Sequence, residues 1–229
     1  MSMLTPLLRT DPASPRLTVY DEARGTRMEF SAQTLDNWAN KVANMLDEEF
    51  ELPPAADGPV ADAICIDLPA SWQCAVIALG AYNSSRVPHI GPWDCGAPEV
   101  VFVGVDDAAR WAHVPDCVVV SDDPFGRGVV EAGGELPTGT IDFGPTVRFY
   151  GDQYFGASAD LAAWSTPELG PERYWVPAWT SAAEFEQYVL APLAAGGSVV
   201  AATGLISADR QQEIMEIEKV GRRLGVDKR

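Results

Sequence analysis

Positive charge is scarce in this sequence. Its 229 residues carry 16 Lys and Arg against 33 Asp and Glu, a formal net charge of −17. Only three of the basic residues are lysines: Lys41, Lys219 and Lys228. Nucleic-acid affinity rests on cations that displace condensed counterions, so neither nucleic acid nor an anionic membrane is an expected partner. The two histidines, His89 and His113, have no Ser or Cys beside them in a motif that would pair a nucleophile with a base. Four cysteines, Cys65, Cys74, Cys95 and Cys117, stand far apart with no Cys-x-x-Cys pair, which speaks against a zinc knuckle or a redox dithiol and for free thiols. A metal set drawn from His89, Cys95, His113 and Cys117 fits no standard spacing, and no metal is expected. The N-terminal residues from Met1 to Arg9 lack the basic start, apolar stretch and cleavage site of a signal peptide. No apolar run approaches the roughly 20 residues that cross a bilayer. The expected location is therefore the cytoplasm.

What is present reads as a globular α/β chain. Hydrophobic residues make up 47% and charged residues 21%, enough for a core without disulfide staples. Leu35, Trp38, Ala39, Val42, Met45 and Leu46 recur at three- and four-residue steps and predict a helix over residues 32–46, with Ser31 as its cap. Residues 51–59, rich in Pro and ending in Asp-Gly-Pro, form a connector. A buried strand is predicted at 61–68, then a helix opened by Ser71, short strands at 87–90, 100–105 and 118–120, and a short helix at 106–111. From Ser121 to about Arg173 the sequence is rich in Gly, Pro and Asp, and only 141–143 and 147–150 read as strand. A strand at 174–178, a helix at 182–195, a strand at 198–202 and a final helix at 208–224 complete the pattern. Ser181 and Glu184 form a capping box, Gly196-Gly197 a helix stop, and Ser207 the last cap. Ile214, Ile217, Val220 and Leu224 would form the last helix's buried stripe, with Lys219, Arg222 and Arg223 at its negative end. Alternating strands and helices imply one α/β domain over residues 1–229, a largely parallel sheet flanked by helices.

Three ordered segments resemble the adenylate-forming superfamily of acyl-CoA synthetases, luciferases and peptide-synthetase adenylation domains. Residues 28–43, beginning Met28-Glu29-Phe30-Ser31-Ala32, are similar to that family's opening "Leu-Thr-Tyr-x-Glu-Leu" strand and helix. Residues 63–81, from Ala63-Ile64-Cys65-Ile66-Asp67-Leu68-Pro69 to Leu79-Gly80-Ala81, resemble "Val-Ala-Leu-Leu-Leu-Pro-Asn-Ser" and a helix ending "Leu-Gly-Ala". Val176 to Ser181 and Leu190 to Val200 resemble the region where "Pro-Leu-x-x-Gly" leads into a core strand. The middle, with Pro124-Phe125-Gly126-Arg127-Gly128 and Val147-Arg148-Phe149-Tyr150-Gly151-Asp152, resembles a small actinobacterial group with this scaffold. The resemblance implies part of the large N-terminal domain of an acyl-CoA synthetase-like, AMP-binding enzyme.

The same resemblance marks what is missing. The Ser/Thr/Gly-rich phosphate loop ending in Pro-Lys has no match; Gly133 to Thr140 is nearest in composition, yet Glu135 would repel phosphate. The adenine motif, the ribose aspartate and the C-terminal domain with its catalytic lysine are absent too. The expectation is a truncated, non-catalytic relative, with no catalytic residue and no cofactor, that binds a small molecule or a protein partner. The alternatives are an acyl- or aryl-acid-activating enzyme using ATP/AMP with Mg, alone or completed by a partner, and a structural, oligomerising module. Two loops at strand carboxyl ends are the candidate ligand sites. Asp122 and Asp123 could take a ribose or a divalent metal, although turn and cap duty suits them as well. Trp179 and Thr180 align with a family segment whose aromatic lines the acyl pocket; a packed indole beside a helix cap is the alternative. A homodimer is expected, because a truncated domain should leave apolar surface for a second copy to cover.

Overall fold

A computed structural model describes residues 2–50, 52, 60–93 and 97–225. Cys95, Lys228 and most of the connector at 51–59 lie outside the described residues. The elements, in order, are α1 (Thr5–Thr10), β1 (Pro15–Asp21), β2 (Thr26–Ser31), α2 (Ala32–Glu48), β3 (Val60–Asp67), α3 (Trp72–Asn83), β4 (Arg86–Ile90), β5 (Val100–Gly104), β6 (Asp116–Val120), β7 (Ile141–Asp142) and α4 (Phe143–Phe149). They continue with β8 (Arg173–Val176), α5 (Ala182–Phe185), a π turn (Glu186–Leu190), α6 (Ala191–Ala194), β9 (Ser198–Thr203), α7 (Ala208–Ile217) and β10 (Arg222–Arg223). The chain divides into two compact units, each built on one five-stranded sheet. The fold is α/β, and among the described residues all strand pairs but β1 with β2 are parallel.

The first unit comprises Asp36–Pro69 and Gln73–Ala159 with the extreme N-terminus. Its sheet runs β4-β3-β5-β6-β7. Strand β5 is central, and Val100, Val101, Phe102 and Val103 are fully buried, each worth roughly 1.5–3 kcal/mol of removal from water. Alternation sends Val101 and Val103 to one face, where they join Cys65, Val119, Ala108, Trp111 and Val114. On the other face Phe102 meets Phe143 edge-on at 6.0 Å, and Phe143 stacks with Trp38 at 6.5 Å. Pro88 is tolerated in β4 because that strand lies at the sheet edge. Helix α2 buries the expected stripe of Ala39, Val42, Met45 and Leu46. Its polar Asn40, also buried, receives a 2.8 Å hydrogen bond from Asn83 of α3 and donates to Asp36 at 2.9 Å, so the burial is matched by partners.

The second unit comprises Leu4–Leu35, Ala70–Trp72 and Asp160–Arg229, with sheet order β10-β8-β9-β1-β2. Tyr20, Trp175, Val200 and Ile214 make a core against α7. Ser31, Ser181 and Ser207 cap as their sequences predict, accepting from the N–H groups of Thr34, Glu184 and Arg210 at 3.1–3.2 Å. The box partner Glu184 closes one residue early, on the N–H and hydroxyl of Thr180.

Two sequence expectations are corrected. Residues 147–150 are not strand: they belong mostly to α4, whose first turn holds Pro145 where no N–H is needed. The final helix stops at Ile217, not 224. Lys219 adopts φ +53°, and Lys219 N–H and Val220 N–H bond to the carbonyls of Glu216 and Met215, a Schellman stop. Arg222 and Arg223 then form a strand beside β8 instead of completing the helix end, and Ile217 is exposed.

Candidate functional site

In the first sheet β3 connects onward to β4 on one side and β5 to β6 on the other, so the switch point lies between β3 and β5. The carboxyl edge there is occupied by the protein's own groups. Asp67, at the end of β3, accepts 2.8 Å from the Trp111 indole N–H and pairs with Arg110 at 3.3 Å. Burial, with Asp67 nearby, pushes the Cys65 thiol up to about 12, and burial also raises Cys117, so neither is poised as a thiolate. His89 bonds to the Pro92 carbonyl at 2.8 Å and meets Trp93 edge-on, while His113 stacks on Trp111. Among the described residues no group of three His, Cys, Asp or Glu side chains converges as a metal ligand set.

Asp122 and Asp123 follow β6. Asp122 is exposed, whereas Asp123 is buried. The Asp123 carboxylate holds the Arg127 guanidinium at 2.7 and 3.0 Å and caps the N–H groups of Phe125 and Arg127. The Arg127 hydrogen bonds keep it below the ordinary carboxylate range. Glu131 continues the lattice, accepting from Gly128 N–H at 2.7 Å and from Arg148 at 2.5 Å. The loop at Gly133 to Thr140 is likewise closed on itself. The N–H groups of Gly133, Gly134 and Thr140 bond to the carbonyls of Val130, Val129 and Pro137.

Trp179 and Thr180 belong to the second unit. Trp179 is 1% exposed and meets Phe185 edge-on at 5.5 Å, while Thr180 gives its hydroxyl and N–H to Glu184. The geometry of these two matches the packed-indole and cap arrangement. The sequence-named residues thus fall into separate units, Asp122 and Asp123 in the first and Trp179 and Thr180 in the second.

Sequence reasoning missed a cleft of about 560 Å³ in the second unit. One wall is the π turn with its flanking helices, the second is the segment from Ala163 to Leu169, and the third is the end of β10. The π turn has a local cause. Pro192 has no N–H for the carbonyl four residues back, and the widened turn lets Ala191 N–H reach Glu186 O instead. Ala183, Gln187 and Ala191 form the stripe facing the cleft, two of them small enough to leave space. Phe185, Val189, Leu190 and Leu193 on the other side are buried. The opposite wall is fixed by a 2.6 Å bond from Arg222 to the Glu168 carbonyl and by Leu224 N–H on Trp175 O. The volume falls in the range of small-molecule sites. The Pro192 within the predicted helix was its only signal in the sequence.

The second unit also holds an ionic cluster around the buried carboxylate of Glu218. Glu218 accepts from Tyr20 at 2.5 Å, from Arg27 at 2.7 Å and from Arg173. Burial opposes its charge, but these three donors override that and hold its carboxyl at about 2.

The fold is like that of solved acyl-CoA synthetases. The chain superposes on an acyl-CoA synthetase from Brucella canis with a TM-score of 0.73 and 15% identity, covering 97% of this chain and 47% of that one. An acetoacetyl-CoA synthetase from Streptomyces lividans gives 0.68 and 15%, covering 97% and 42%. At sequence level, a TIGR03089 family protein of Mycobacterium tuberculosis is 36% identical over 156 residues, 66% of this chain and 60% of that protein. The chain thus spans less than two thirds of the length of each of these proteins. No family model matches the chain.

Proposed function

We propose that the protein is a non-catalytic relative of adenylate-forming enzymes that uses their scaffold to bind a small molecule or a protein partner. The observation that carries this reading is the state of its cations. Adenylation needs cations to hold phosphates and to offset charge developing in the transition state. Here Arg24, Arg27, Arg86, Arg110, Arg127, Arg148, Arg173 and Arg210 are each paired with the protein's own carboxylates, and Lys41 is bonded to the Tyr150 carbonyl at 2.6 Å. A triphosphate would have to break those pairs. The self-bonded loop at 133–140 supports the same reading, since three of its backbone donors already have acceptors.

Pyrophosphate exchange with the purified chain over a panel of carboxylic acids tests this. The expected result is no ATP-dependent exchange above background; robust exchange would overturn it. The shared scaffold favours a second reading, an acid-activating, AMP-forming enzyme completed by another protein. That reading requires the chain to bind nucleotide, so a thermal shift at millimolar ATP with magnesium distinguishes the two. The cleft beside the π turn is the leading ligand site, with Trp179, Thr180, Asp122 and Asp123 secondary candidates. A homodimer and a cytoplasmic location belong to the same proposal; among the described residues no helix is long and apolar enough to cross a membrane.

A further inference from the structure

We propose that residues 149–158 form a releasable strap, which opens as a unit from α2 while the helices beneath it stay folded and so gates access to the polar layer between α2 and α3. Four successive carbonyls of this segment are held, each by a side chain of α2. Lys41 Nζ donates to Tyr150 O at 2.6 Å, Asn44 Nδ2 to Gly151 O and Gln153 O at 2.9 Å each, and Asn40 Nδ2 to Asp152 O at 3.0 Å. Two phenols reach the end of the same helix, Tyr150 to Glu49 just past it and Tyr154 to Asp47 at 2.8 Å. The far end is fastened to α3, by Ser158 Oγ on Asn83 Oδ1 at 2.9 Å and by Ala159 N–H on Tyr82 O at 3.3 Å.

The kind of bond used here is what makes the strap releasable. Among the described residues no backbone N–H from Gly151 to Ser158 has a protein acceptor, so side-chain hydrogen bonds carry nearly all of the attachment. Each of these is modest in net terms, because water replaces it on release. Apolar burial adds little: between the exposed rings of Phe149 and Phe155, Tyr154 is the one buried side chain. Beneath the strap, Asn40 and Asn83 are 3% and 0% exposed, and Asn40 joins Asn83 to the buried carboxylate of Asp36. Both amides also bond to the strap, through Asp152 O and Ser158 Oγ. Release therefore exchanges two strap partners for water at a layer that is otherwise sealed, and the bonds from Asn40 to Asp36 and Asn83 persist. The sheet is untouched, since no strand pair includes a residue of the strap.

Native-state cleavage of the full chain by chymotrypsin, followed by mass spectrometry at low micromolar protein, tests the inference. The reporting site is the bond after Tyr150, whose carbonyl Lys41 pins in the closed state. Cleavage there is expected to proceed through local opening, with a urea dependence well below that of global unfolding measured by circular dichroism. Lys41→Met and Asn44→Leu should each speed that cleavage about tenfold, the effect of removing a charge-assisted bond or two neutral ones. Gln212→Leu, which removes a comparable side-chain bond to Glu216 on α7, should leave the rate unchanged. Cleavage that carries the full urea dependence of global unfolding would overturn the proposal. A rate at Tyr150 indifferent to both α2 variants, or raised equally by Gln212→Leu, would overturn it too. Should either α2 variant fail to fold, the urea dependence of the wild-type chain decides the question alone.

Discussion

Gly80 shows how tightly one position can tie two helices together. A Cβ built there would lie 2.3 Å from Val42 Cγ1 and 2.4 Å from Val42 Cβ, so the glycine is what lets α3 approach α2. Helix propensity alone favours alanine by about 1 kcal/mol, but Val42 Cβ is fixed to its backbone and cannot swing away. Overpacking therefore wins. Gly80→Ala is expected to destabilise by about 2 kcal/mol and lower Tm by about 4–8 °C, and Gly80→Ala with Val42→Ala should recover part of that loss in a thermal melt. Glu218 makes the complementary electrostatic case. Its folded-state carboxyl sits at about 2, below the ordinary glutamate value, so its stabilisation is present above about pH 4.5 and is lost as pH falls from there towards 2. Glu218→Gln leaves Arg27 and Arg173 with Glu29 as their remaining shared carboxylate and should cost about 1–3 kcal/mol at pH 7. The diagnostic is the slope. Between pH 5 and pH 2.5 the wild type should lose more stability than the variant, and parallel melting curves for the two would show that the cluster carries no such linkage.

At the scale of elements, the stop of α7 gives a test whose sign discriminates. Lys219 lies at φ +53°, a conformation that costs a side-chain-bearing residue about 1 kcal/mol and glycine almost nothing. Lys219→Gly is expected to raise Tm by about 2–4 °C, whereas in a helix continuing to 224 the same change would lower it by a similar amount. This is also where the sequence stopped being legible. The stripe of Ile214, Ile217, Val220 and Leu224 keeps helical spacing, but Glu218 is drawn inward by arginines 191 and 45 positions away, and that tertiary pull ends the helix. Local signals fared better: Ser31, Ser181 and Ser207 each cap the helix that their neighbours announce, because a cap depends on three or four adjacent residues. Short runs fared worse. Val147 to Tyr150 alternates like a strand over four residues, too few to reveal the helix that Asp142, Phe143 and Pro145 begin. The cleft was invisible for a similar reason: its walls come from three segments whose juxtaposition depends on β10, a two-residue strand that no periodicity marks.

For the whole molecule, net charge and exposed apolar surface pull in opposite directions. Phe125, Phe149 and Phe155 in the first unit are 76%, 89% and 87% exposed, and Leu205 and Ile217 in the second are similarly open. Single exposed apolar residues are ordinary, but three phenylalanines so exposed within one compact unit favour association. Against that, every copy carries a net charge of −17, and like charge repels a second copy at low ionic strength. Because the Debye length falls from about 30 Å at 0.01 M to about 8 Å at 0.15 M salt, screening weakens the repulsion while leaving apolar contact intact. The expected homodimer should therefore tighten with salt, the reverse of an assembly held by ion pairs. Light scattering at high micromolar protein is expected to report more dimer at 0.3 M than at 0.02 M sodium chloride. Phe149→Ser with Phe155→Ser should shift the equilibrium to monomer at both. Monomer throughout would remove the dimer from the proposal, and a dimer that dissolves as salt rises would assign the interface to charged residues instead of these phenylalanines.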